Sequence, residues 1–184
     1  MKKIEDVFDP FPILETARTL LRPITQRDLM DIYRYCSVPE VSRHTLWNTH
    51  QSTDDTQRFL EFVQQRYTLQ KVGPWGIEHK GTGVIIGTCS FIEWDNDHRK
   101  AELGYVLSNQ FWNQGIMTEV IERVITFGFD QLQLVRIEAK CHPDNTGSYR
   151  VMEKTGMKLE ERLRHYLKVK GRYEDILVYS IIRL

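Results

Sequence analysis

Gly115 follows the apolar run Leu103-Gly104-Tyr105-Val106-Leu107 by a short polar turn and opens the segment Ile116-Met117-Thr118-Glu119. A strand that enters a turn and delivers a glycine to the first turn of an amphipathic helix points backbone N–H groups outward. The helix dipole favours negative charge at that same point. The chemistry this implies is anion binding, with a phosphate-bearing ligand as the candidate. A glycine at such a junction also serves as a plain tight turn, so the weight comes from context. One strand later, Asp144-Asn145-Thr146-Gly147-Ser148 opens a second capped helix and brings more N–H groups and short polar side chains to the same sheet edge, where ligands of open α/β sheets bind.

Other reactive residues have weaker patterns. Cys141-His142 suggests a thiol nucleophile, but neighbours on a strand point to opposite faces and cysteine is usually buried. The six histidines show neither HxxxH nor HExxH spacing, so no metal site is expected. Lys158, Arg162, Arg164, His165, Lys168, Lys170 and Arg172 alternate with Glu160, Glu161 and Glu174, as a solvated strand pair does; contact with a ligand phosphate is the alternative. Tyr33, Tyr35, Trp47, Phe59, Phe62 and Tyr67 read mostly as core by spacing.

The elements that position these residues follow from periodicity and breakers. Residues 1–12, with Pro10 and Pro12, read as an irregular leader. Residues 13–22 read as a first strand stopped by Pro23. Thr25 caps a helix through Cys36, and Pro39 marks its end or the start of a short further helix. Residues 43–51 form a loop, and Ser52 or Thr53 opens a helix carrying Phe59, Leu60, Phe62, Val63 and Tyr67 at helical spacing. Gly73-Pro74 ends it. Three strands, 75–78, 83–94 and 100–107, follow as an antiparallel meander. The helix after Gly115 buries Val120, Ile121, Val124, Ile125 and Phe129 on one face. A strand over 134–141, a helix over 146–155 ending at Gly156, and two strands, 158–169 and 173–182, complete the chain. The result is a mixed α/β (α+β) sheet in one domain spanning 1–184.

Composition narrows the function classes. The 184 residues are 41% hydrophobic and 27% charged, the balance of a folded chain. Lys+Arg and Asp+Glu are 25 each, which argues against bulk binding of nucleic acid or an anionic membrane. Three scattered cysteines, Cys36, Cys89 and Cys141, form no CxxC pair, so a reducing, cytoplasmic setting is expected. The N-terminus has no apolar run behind its lysines and reads as having no secretory signal. No stretch approaches the length of a membrane span.

In order and spacing, five segments together resemble the GNAT acetyltransferase superfamily, in particular its RimJ/RimL-type branch. They are Glu15 to Pro23, Ala101 to Leu107, Phe111 to Glu119, Asn145 to Met157, and Gly171 to Asp175. The resemblance covers nearly the whole chain. It implies a GNAT-like fold: a mostly antiparallel sheet, splayed between the fourth and fifth strands and flanked by helices. It also implies acetyl-CoA in the splay, and an acceptor amine, from a protein N-terminus or a small molecule, that attacks the thioester directly. The amine must be neutral, the oxyanion needs a donor, and the leaving thiolate needs an acid or a hydrogen bond. By the resemblance, Glu102 is the base and Ser148 assists the thiolate. Val106 and Leu107 offer backbone contacts, Gln114, Gly115, Ile116, Met117 and Thr118 offer N–H groups, and Asn145 touches the pantetheine arm. The bland readings are a surface pair of Glu102 with Lys100 or Arg99, and a plain helix cap for Asn145. The loop from His44 to His50 falls where the family sets acceptor specificity, and members often form homodimers.

Three residues depart from the superfamily pattern. Trp112 stands where Gln or Arg is usual, as in the RimJ/RimL branch. Met117 replaces a small residue, so its side chain must point away from the phosphates. Met152 stands where a tyrosine acid is frequent. Met117 and Met152 keep a non-catalytic CoA-binding sensor or scaffold as the rival reading. A nucleic-acid accessory role is weaker still, given the balanced charge.

Overall fold

A computed structural model describes residues 2–69 and 72–183; Met1, Gln70, Lys71 and Leu184 lie outside the described residues. Its centre is an eight-stranded sheet in the order β1-β2-β3-β4-β5-β6-β8-β7. The strands are β1 (Leu14–Glu15), β2 (Thr19–Pro23), β3 (Trp75–His79), β4 (Val84–Asp95), β5 (Lys100–Leu107), β6 (Arg136–Cys141), β7 (Lys158–Val169) and β8 (Arg172–Ile182). All neighbours are antiparallel except β5 and β6. The helices are α1 (Ile4–Val7), α2 (Leu29–Cys36), α3 (Pro39–Ser42), α4 (Thr53–Leu69), α5 (Ile116–Asp130) and α6 (Thr146–Lys154). The mixed, mostly antiparallel sheet with flanking helices is the expected fold class.

Apolar alternation assigns the two faces. Ala101, Leu103 and Leu107 of β5 and Ile137, Ala139 and Cys141 of β6 join Val120, Ile121 and Val124 of α5 and Met152 of α6 in one core. Ile85 of β4 packs on the opposite face with Ile32, Tyr35 and Cys36 of α2 and Leu60 and Val63 of α4. Residues 136, 138 and 140 of β6 and Glu102 of β5 therefore share the α2/α4 face, beyond the cover of those helices.

Two expectations need correction. The leader is not irregular throughout, because Ile4–Val7 forms a helical turn. Ile4 and Phe8 are buried, the Ile4 N–H donates to Asn96 Oδ1 (2.9 Å), and Trp94 Nε1 donates to the Glu5 carboxylate (2.7 Å). These partners are about ninety residues away in sequence, so local periodicity cannot register them. The first strand is also broken in two. The Thr16 N–H donates to the Thr19 carbonyl (2.9 Å), which folds 14–23 into a hairpin whose second arm includes Pro23. This raises the strand count to eight, so the splay expected between the fourth and fifth strands falls between β5 and β6.

Candidate active site

Strands β5 and β6 pair only over Lys100–Leu103 and Arg136–Ala139. Beyond that point β5 runs on to Leu107 and β6 to Cys141 with no ladder between them, so the sheet opens into a gap. The register of β5 against β4 decides which backbone groups face it. Ser108 N–H donates to Ile86 O (2.7 Å), and the pairs Gly87–Leu107, Thr88–Val106 and Cys89–Tyr105 follow in step. Alternation therefore turns Val106 toward β4, and Tyr105 and Leu107 toward the gap. The Leu107 carbonyl does face away from β4, accepting Trp112 Nε1 (2.8 Å). Of the two backbone candidates, Leu107 turns its N–H toward the gap and Val106 turns its N–H toward β4; Tyr105, which sequence reasoning passed over, also turns its N–H toward the gap.

Helix α5 begins beside the gap. Gly115 is its N-cap in the left-handed region (φ 75°), and the first helical bond runs from the Glu119 N–H to the Gly115 carbonyl (3.1 Å). The N–H groups of Ile116, Met117 and Thr118 thus project from the helix end. The Ile116 and Met117 side chains are buried in the α5 core, which settles the difficulty of a large residue at 117: its side chain points inward and its N–H outward. Gln114 lies before the helix, and its side chain donates to the Gln110 carbonyl (2.9 Å). Arg18 straps the turn from β2's approach, donating to Gln114 O (2.9 Å) and to Glu119 Oε2 (2.8 Å).

On the other wall, Asn145 caps α6 by accepting the Ser148 N–H at Oδ1 (3.2 Å). The Ser148 and Tyr105 hydroxyls are 3.1 Å apart, and the Tyr105 hydroxyl also donates to the Ser148 carbonyl (3.1 Å). A serine and a phenol therefore bridge the gap from wall to wall. Burial holds the Tyr105 phenol above its ordinary value, so it stays protonated. Cys141, at the end of β6, is buried and its thiol is pushed up to about 11, chiefly by burial, which disfavours the thiolate a nucleophile needs. Met152 is buried in the core and faces no cavity chemistry.

Glu102 stands at the closed end of the gap, with its side chain 13% exposed. Its partner is neither Lys100 nor Arg99 but Lys140, whose Nζ donates to Oε2 at 2.6 Å. Burial holds the Glu102 carboxyl above 4.5 against the pull of Lys140, and the nearby Glu93 and Glu138 add to the rise. Lys140 is raised in turn: burial lowers it, and the bond to Glu102 outweighs that. Lys140 follows Ala139, the last paired residue of β6, so it would lie opposite Gly104 if the ladder continued. Neither Lys140 nor Tyr105 stands out in sequence, because both depend on where a non-local parallel ladder stops.

The loop after α3 reaches across to the gap. His44 stacks on His142 (centroids 4.9 Å apart, interplanar angle 17°), and Lys170 Nζ from the β7–β8 turn donates to the Ser42 carbonyl (2.5 Å). The basic run is mostly a solvated edge, as expected: Arg162 pairs with Asp175 (2.9 Å) and β7 is largely exposed.

Residues 18–158 match the family model described as an acetyltransferase (GNAT) domain. The chain is 36% identical over 173 residues to an uncharacterized N-acetyltransferase of Bacillus subtilis (strain 168), YoaA, covering 94% of this chain and 98% of the relative. Among solved structures, a GNAT-family acetyltransferase from Bacillus anthracis aligns with TM-score 0.82 at 25% identity, over 93% of this chain and 98% of that one. The fold is shared with the ribosomal-protein acetyltransferase RimL solved with coenzyme A: TM-score 0.81 and 19% identity, over 93% of this chain and 98% of RimL.

Proposed function

The chain belongs to the GNAT acetyltransferase family, and on that premise we propose that acetyl-CoA lies in the gap between β5 and β6 while an amine on the Glu102 face attacks its thioester. Acetyl-CoA-dependent N-acetylation is the family's reaction; the roles of particular residues are our reading. The observation that carries it is the parting of the sheet at Leu103 and Ala139 directly beside the N-terminus of α5. The pyrophosphate binds the N–H groups of Gly115 to Thr118, where charge and geometry both suit an anion. The pantetheine arm runs along the Tyr105 and Leu107 backbone, with the Asn145 amide on the far wall.

In the reaction, Glu102 takes a proton from the acceptor ammonium. The neutral nitrogen attacks the thioester carbonyl, and the Tyr105 N–H donates to the oxyanion that forms. As the C–S bond breaks, the Ser148 hydroxyl turns from the Tyr105 phenol oxygen, to which it donates in the structure, and donates to the thiolate. The serine keeps its own proton, since a hydroxyl is a weak acid; the second proton, on the attacking nitrogen, passes to the departing thiolate, so that amide and CoA thiol are the products. We place the acceptor among protein N-termini, as the RimJ/RimL-type motifs and the RimL likeness suggest. The whole chain acts as one domain, in the cytoplasm.

Gly115→Val tests the cofactor site. A β-branched residue at positive φ is strained and crowds the turn's N–H groups. Calorimetric titration is expected to show acetyl-CoA affinity reduced roughly tenfold or more, the loss of one or two charge-assisted hydrogen bonds. Unchanged affinity would place the pyrophosphate elsewhere.

A further inference from the structure

Three segments distant in sequence meet over the gap at His142. Its ring stacks on His44 from the α3–α4 loop, its Nδ1 accepts the Asp144 N–H (3.0 Å), and its Nε2 lies 3.0 Å from Glu174 Oε2 on β8. Because Nδ1 is an acceptor, the ring's proton sits on Nε2 and is donated to Glu174, so His142 is a neutral imidazole here. Glu174 is thereby fixed in direction but not neutralised. The other carboxylates of this face nearest the gap have cations: Glu102 has Lys140 (2.6 Å) and Glu138 has Arg136 (2.6 Å). Among the described residues, Glu174 has no Lys or Arg at ion-pair distance. Glu93 and Asp144 also lack one, but both are exposed, Asp144 at 81%, whereas the Glu174 side chain is 31% exposed and is held by the His142 ring. Lys170, on the same roof, is committed to the Ser42 carbonyl.

Glu174 is thus a half-buried, oriented carboxylate without a Lys or Arg partner, held by the residue that follows the gap-lining end of β6, and such a group suits an ammonium ion. We propose that Glu174 docks the acceptor's ammonium group at the entrance, with His142 as its positioning residue, before the amine passes to Glu102. This rests on the amine-acetylation reading above. It assigns the His44 loop a part in acceptor binding: the loop holds the His142 ring by stacking, and burial, foremost, holds the His44 imidazole below its ordinary value.

The test uses Glu174→Gln, whose amide oxygen still accepts from His142, and Glu174→Asp, which keeps the charge. Two acceptors, the peptide amide Ser-Ala-Ala-NH2 and butane-1,4-diamine, are assayed with acetyl-CoA. For the better of them, the Gln variant is expected to raise acceptor KM roughly tenfold or more, as loss of a charged hydrogen bond does. The effect falls on acceptor KM rather than on kcat or acetyl-CoA KM, and Asp restores part of it. An acceptor KM that does not move, or one that moves together with acetyl-CoA KM, overturns the proposal. If neither amine is acetylated by the unaltered protein, the transfer reading fails separately, and NMR titration of its CoA complex with the same amines decides the docking site. Shifts of the His142 ring signals that vanish in Glu174→Gln uphold the site; their absence overturns it.

Discussion

Replacing Glu102 by glutamine is expected to lower kcat by about a hundred- to ten-thousand-fold, the contribution of a positioned general base, with acetyl-CoA affinity almost unchanged. The amide oxygen still accepts from Lys140, so the closed end of the gap keeps its shape and only proton uptake is lost. The pH dependence carries a second signature. The folded carboxyl lies above 4.5, chiefly through burial, so the base is protonated and idle at low pH. Activity rises as pH climbs through that raised value, and this acidic limb disappears in the variant. Stability moves the other way. A carboxyl raised on folding contributes stability that is fully present below about 4.5 and is lost as pH rises through the folded value. Steady-state rates across the pH range check the first statement, and thermal melts check the second. A variant with undiminished kcat would remove Glu102 from the reaction.

Gly87→Ala is expected to be the costliest change for the fold. An added Cβ would lie 2.3 Å from the Val106 carbonyl oxygen and 3.1 Å from Leu107 Cα. Both are backbone atoms of β5, so no side-chain rotation relieves the clash and the strands must part. Overpacking of this kind costs about 3 kcal/mol or more, a fall of roughly 6–12 °C in Tm for a domain of this size. Acetyl-CoA affinity should fall too, because the displaced strand is one wall of the gap. A melting temperature within a degree or two of the unaltered protein would show that β4 and β5 are free to separate there.

Much of this was legible in the sequence because it is local. The meander from Trp75 to Leu107, the apolar stripe of α5, the glycine that opens it and the cap at Asn145 follow from side-chain period and turn chemistry within a few residues. What could not be read depends on partners far along the chain. Glu102 looks like a surface carboxylate until β6 is laid beside it and Lys140 arrives from 38 residues away. Whether the Val106 or the Tyr105 backbone faces the gap is a matter of register, and alternation in one strand is the same for both registers. Met117 shows the same limit: its residue type raised a question about the phosphate turn, and only its place in the α5 core answers it.

The central claim is direct transfer from acetyl-CoA in the gap to an amine. It is tested most directly by following the label of [13C2-acetyl]-CoA by mass spectrometry in a single turnover with an amine-bearing peptide. The expected result is label on the peptide's amine, free CoA in equal amount, and no mass increase on the protein at any time. Label retained on the protein, at Cys141 or elsewhere, or no transfer to any amine from acetyl-CoA that is demonstrably bound, would contradict it.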